Sequence, residues 1–116
     1  MPNHVHALVW FPQPGCLSRF LHEWKRHSSR LIREWYGRQQ LRYFEDFEVG
    51  IRFWQPKYHA FEIGERAKME EKLDDMHANP VRAGLFAKAV DCPWSSARWS
   101  LQHKSVGVPM TWVQCD

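Results

Sequence analysis

Cysteine is scarce in this chain, long apolar runs are absent and neither sign of charge dominates; each of these lacks removes a class of protein. Cys16, Cys92 and Cys115 are odd in number, widely spaced and without a Cys-x-x-Cys pair, so neither a disulfide framework nor a zinc ribbon is indicated. A reducing, cytoplasmic setting is expected. No apolar run approaches the roughly 18 residues that cross a bilayer, and the start lacks the charged n-region of a signal peptide. A soluble chain with no membrane partner is therefore expected. The formal charge of +3, from 16 Lys and Arg against 13 Asp and Glu, is mild, so its distribution carries the information. Repeats and low-complexity stretches are also missing. What the sequence has in excess is rings: seven Trp and seven Phe in 116 residues, enough to fill the core of one modest domain or to offer stacking surfaces for nucleobases.

The first ten residues, MPNHVHALVW, place His4 and His6 two apart in an apolar segment. Pro2-Asn3 is a turn signal, and Val5, Ala7, Leu8, Val9, Trp10 and Phe11 predict a sheet-core strand after it. On a strand, residues two apart share a face, so both imidazoles would emerge together. Two neutral imidazoles can fill two positions around a divalent cation, with further ligands coming from elsewhere. Two satisfied or solvent-facing histidines are the plainer alternative.

Residues 16–36 predict a helix, because Leu17, Phe20, Leu21, Trp24, Leu31, Ile32 and Trp35 recur at spacings of three and four, with Gly37 a natural stop. On a wheel of about 100° per residue, Arg19, Arg26, Arg30 and Arg33 fall in one narrow sector opposite that stripe. Lys25 adds to the ridge, and Glu23 and Glu34 oppose it. Such a ridge suits contacts to a phosphate backbone, or is an ordinary solvated face.

Residues 38–50 are polar and aromatic without a period, which predicts a loop, with 43–47 pairing or packing locally. Residues 51–63 read as strand-like, interrupted at Gln55-Pro56 where the proline lacks an N–H. After Gly64, residues 65–79 predict a helix with Ala67, Met69, Leu73 and Met76 as a thin apolar stripe, ended by Pro80 and followed by a turn at Gly84. Glu71, Asp75 and Asn79 succeed one another four residues apart, so their oxygens line one face of that helix. His22, His27, His59, His77 and His103 lack a partner at ligand spacing and are expected on the surface or in packing.

A strand MPNHVHALV, a middle segment FWQPKYHAFEI, a helix ending in MHANPVRAGL and a tail CPWSSAR occur in that order. This succession resembles the single-tyrosine HUH transposases, in the branch of REP-associated tyrosine transposases, also labelled insertion-sequence-200-like, over roughly residues 1–99. The resemblance implies an α+β fold: a ferredoxin-like antiparallel sheet with helices on one face, displaying the two histidines beside a helix that carries a tyrosine nucleophile. It also implies action on single-stranded or hairpin DNA, with a divalent ion, Mg²⁺ or Mn²⁺, at the histidines and a covalent 5′-phosphotyrosyl link during nicking and joining. His4 and His6 match the histidine pair, and Asn79 matches the polar residue one turn beyond the nucleophile, a third metal ligand. The cations expected on the DNA are Arg19, Lys25, Arg26, Arg30, Arg33 and Arg82. Trp94 is expected to pack on the sheet, and Ser95 or Ser96 to cap a short turn.

Two departures from that pattern shape the expectation. The nucleophile position, four residues before Asn79, holds Asp75. A carboxylate would give a labile acyl phosphate rather than a bond that rejoining can use, so impaired strand transfer is the leading expectation. Asp75 completing a two-histidine, one-carboxylate site that activates water, a hydrolytic nuclease, is a second, and a domesticated or remnant DNA-binding module without catalysis a third. Family members also carry a strand, a helix and a strand ahead of the histidine strand, whereas this sequence opens inside the motif. The expected fold thus lacks that first segment, through either a start assigned at an internal methionine or a decayed gene copy. Unpaired sheet edges would then favour self-association. The layout expected is a partial transposase domain over 1–100 and an irregular tail over 101–116.

Overall fold

The structure, a computed structural model of the chain, describes residues 1–39 and 52–111. Of the loop expected over 38–50, residues 40–50 lie outside the described residues and Arg38 belongs to a helix; residue 51 of the strand-like segment and the last five residues of the tail also lie outside them. The chain divides into two compact units: Phe11–Ala60, and Met1–Trp10 together with Phe61–Asp116.

In the first unit the apolar spacing does what it predicts. Helix α1 spans Leu17–Arg38, and its first bond is Phe20 N–H to the Cys16 carbonyl at 3.0 Å. It runs through Gly37 and closes at Gln39, so the glycine is no stop here. Its C-cap keeps right-handed helical angles, and the Arg38–Glu34 ion pair at 3.6 Å spans the last turn. An aromatic series fastens the 52–60 segment to this helix. Phe11 meets Phe20 edge-on at 5.4 Å, Phe20 stacks towards Trp24 at 6.5 Å, and Trp24 meets Trp54 at 5.4 Å. Trp54 then donates its indole N–H to Ser28 Oγ at 2.9 Å.

The described part of the second unit contains α2 (Arg66–Arg82), a 3-10 turn (Ala89–Asp91) and the short α3 (Ala97–Gln102). The 3-10 turn packs against both α2 and α3. Pro80, expected to end α2, lies inside its last turn. A proline there forfeits one N–H bond, but its carbonyl still accepts the Leu85 N–H at 2.9 Å, while Gly84 N–H reaches the Val81 carbonyl at 2.9 Å. These paired bonds, with Gly84 at φ +71°, form a Schellman closure, which needs a residue that enters the left-handed region without penalty. The turn expected at Gly84 is thus present, two residues after the true helix end.

The expected antiparallel sheet is not formed: among the described residues there is no strand at all. Residues 1–10 are exposed and without regular structure, and the described part of 52–63 is likewise irregular. The ferredoxin-like α+β reading is therefore corrected to an all-helical arrangement of the described residues. The reason is that a strand is a property of a pair. Alternating and β-branched residues favour a pleated surface only when a neighbouring backbone accepts the ladder bonds. Among the described residues the histidine segment meets no such neighbour, and Pro56 interrupts the other candidate.

Candidate functional site

The α1 helix and the 52–58 segment enclose an open trough of about 720 Å³ within the first unit. Lys25, Arg26 and Arg33 of the arginine ridge line it, joined by Arg52, His22, Trp54 and Tyr58. Arg52 and Trp54 lie some twenty-five residues from the ridge in sequence, and no local pattern signalled their convergence. Lys25 holds the trough together: its ammonium donates to the Gln55 carbonyl at 2.8 Å and to the Lys57 carbonyl at 3.1 Å. Tyr58 Oη and Ser18 Oγ share a hydrogen bond of 2.8 Å at one end.

The ridge is partly neutralised along its own helix. Arg26 pairs with Glu23 at 2.6 Å, and the hydrogen bond from that guanidinium holds the Glu23 carboxyl below its ordinary range. Arg30 pairs with Glu34 at 3.2 Å. These pairs are solvent-exposed and screened by water, so they yield readily to a better anion. Arg19 is exposed near the start of α1.

The candidate metal and catalytic residues read from the sequence lie in the second unit. His4 and His6 come together without a strand: their ring centroids are 4.8 Å apart, edge to face. His4 Nδ1 lies 2.7 Å from Asn3 Oδ1. If Nδ1 carries the proton, this contact leaves Nε2 free as a lone-pair donor. His6 is held below the ordinary imidazole range by partial desolvation first, then by His4 and the chain's N-terminal ammonium. Neutral imidazoles are the ligand form. However, among the described residues no three His, Cys, Asp or Glu side chains come together to hold a metal. Asp75 therefore does not join the pair, which by itself offers two nitrogen donors, fewer than a complete metal site uses.

On α2, Asp75 Oδ1 accepts a hydrogen bond from Arg82 Nη2 at 3.0 Å, so the carboxylate expected in the nucleophile position and a cation expected on DNA engage each other. Asn79, half-buried one turn on, accepts Ala83 N–H on its carbonyl at 2.9 Å. His77 is buried, as a packing residue, with Nε2 2.9 Å from Ser96 Oγ. Burial pushes its pKa down, against the opposing charge of Asp74. Among the described residues no helix is long and apolar enough to cross a membrane.

A family model described as an IS200-like transposase matches residues 1–73. The matched stretch takes in both histidines and all of α1, and stops just short of Asp75. No curated protein and no solved structure matches the chain.

Proposed function

The chain belongs to the IS200-like transposase family, whose business is DNA transposition, and we propose from this that it binds single-stranded or hairpin DNA through the α1 trough and is impaired in nicking and joining. The observation that carries the reading is the trough itself. Cationic Arg26, Arg33 and Arg52 line one depression with Trp54 and Tyr58, the combination of phosphate-attracting charge and flat rings that suits an unpaired strand. Membership of the REP-associated branch rests on the sequence motifs given above.

Impairment follows from Asp75. A tyrosine phenolate that attacks a backbone phosphate keeps the bond energy for rejoining; a carboxylate in its place does not. The ion pair with Arg82 further commits that carboxylate to a structural contact. His4 and His6, with Asn79 as third ligand, are the residues proposed to hold Mn²⁺ or Mg²⁺, which when bound would polarise a phosphate oxygen.

The test is a cleavage and adduct assay on labelled hairpin DNA with a single-stranded flank, with magnesium or manganese, comparing this chain with Asp75→Tyr. Binding by both chains and a covalent adduct in the variant alone is the expected result. An adduct or cleavage by the unsubstituted chain overturns the impairment. Absence of DNA binding by either overturns the whole reading, and binding without an adduct in both removes Asp75 as the cause.

A further inference from the structure

A tryptophan ordinarily contributes by burying its ring, which removes more apolar surface from water than almost any other side chain. Trp94 does the opposite. It is 90% exposed, the most exposed of the large hydrophobic residues described, and the packing expected for it is not found. The backbone that carries it is nonetheless firmly held. Ser95 N–H donates to the Cys92 carbonyl at 3.3 Å, Ala97 N–H to Ser95 Oγ at 3.1 Å, and Arg98 Nε to the Val90 carbonyl at 3.1 Å. Ser96 is tied to buried His77, and the flanking Cys92 and Ala97 are themselves buried. Pro93 fixes one more torsion ahead of the ring.

A pinned turn that displays an indole has already met much of the ordering cost of a contact. The charge of the segment narrows what that contact is. From residue 83 to 104 the chain carries Lys88, Arg98 and Lys104 against Asp91 alone, Arg82 just before them being paired with Asp75. An apolar protein partner gains nothing from that excess, whereas a strand of nucleic acid offers a flat ring and a phosphate together. We propose that Trp94 is a stacking platform for an unpaired nucleobase, a second nucleic-acid contact separate from the α1 trough. It rests on the DNA-directed reading above and extends it to the second unit.

The experiment is fluorescence-anisotropy titration of the full chain and of Trp94→Ala and Trp94→Phe with labelled oligothymidylate and with a fully paired duplex of equal length. Stacking predicts roughly ten-fold weaker binding of the single strand by Trp94→Ala, most of it restored in Trp94→Phe, with the salt slope unchanged because no charge is removed. Duplex binding should be equal in all three. Because the ring touches little of its own protein, far-UV circular dichroism of the variants should match the parent. Equal single-strand affinity in Trp94→Ala overturns the stacking platform while leaving the trough untouched. An equal loss on duplex and single strand overturns it too, and a parent chain that binds neither overturns both this inference and the reading beneath it.

Discussion

His77 shows how a single residue can set the acid tolerance of this fold. It is buried on α2 with Ser96 Oγ as its hydrogen-bond partner, and burial lowers its pKa from the ordinary imidazole value of 6.5. Above about pH 6.5 the imidazole is neutral in both folded and unfolded chains, and its contribution is complete. As pH falls below that value the unfolded chain takes up the proton first, so stability drains away progressively down to the lower, folded pKa. A series of urea midpoints between pH 8 and 5 should therefore decline below pH 6.5 for the parent. His77→Asn, which can still meet Ser96 but does not titrate, should decline less steeply in that window, the remaining fall belonging to His6, whose pKa is also lowered. Parallel profiles for the two chains would show that His77 is not the sensor.

At the scale of elements, α1 combines an apolar stripe with cations that are partly spent on their neighbours. A phosphate must displace Glu23 from Arg26 and Glu34 from Arg30 before it gains those guanidinium groups. Replacing Arg26 and Arg30 together by glutamine should weaken single-strand binding. It should also reduce the slope of log affinity against log salt by up to about 1.4, at about 0.7 for each phosphate that a guanidinium no longer neutralises. Glu23→Gln should act in the opposite direction and tighten binding, because it removes the competitor. An unchanged slope in the double variant would take the ridge out of the interface. The existence of this helix was legible from spacings of three and four alone, and so was that of α2. Their ends were less so: Gly37 and Pro80 are poor helix residues in isolation, but a closing ion pair and a Schellman turn accommodate them. The absence of a sheet among the described residues was not legible at all, since the histidine segment has the composition of a strand and meets no partner strand among them. Of the candidate site, Lys25, Arg26 and Arg33 could be read from one helical wheel. Arg52 and Trp54 could not, because an aromatic series and the Lys25 ammonium, not any local period, bring them to the trough. Trp94 was misread together with the strands, because it was expected to pack on a sheet that the described residues do not form.

Over the whole molecule the telling quantity is how little is covered. Among the described residues only His77, Pro80, Cys92 and Ala97 are buried, while Val5, Val9, Trp10, Trp35, Phe61 and Leu101 are among the exposed large hydrophobics. Cooperativity and the denaturant slope both scale with the surface that unfolding newly exposes. Urea unfolding should accordingly be broad, with an m-value below about 1 kcal/mol/M, the low end for small proteins. The native chain should also enhance the fluorescence of a hydrophobic dye. A steep transition with an m-value of about 1.5 kcal/mol/M or more, and no dye signal, would contradict this picture.

The arginine ridge of α1 also amounts to a ruler. Between Arg19 and Arg33 a helix advances about 21 Å, at about 1.5 Å per residue. Phosphates along one strand of B-form DNA recur about every 3.4 Å, so that interval corresponds to about six of them. Four guanidinium groups distributed over six phosphates would leave a footprint of about half a helical turn on one strand.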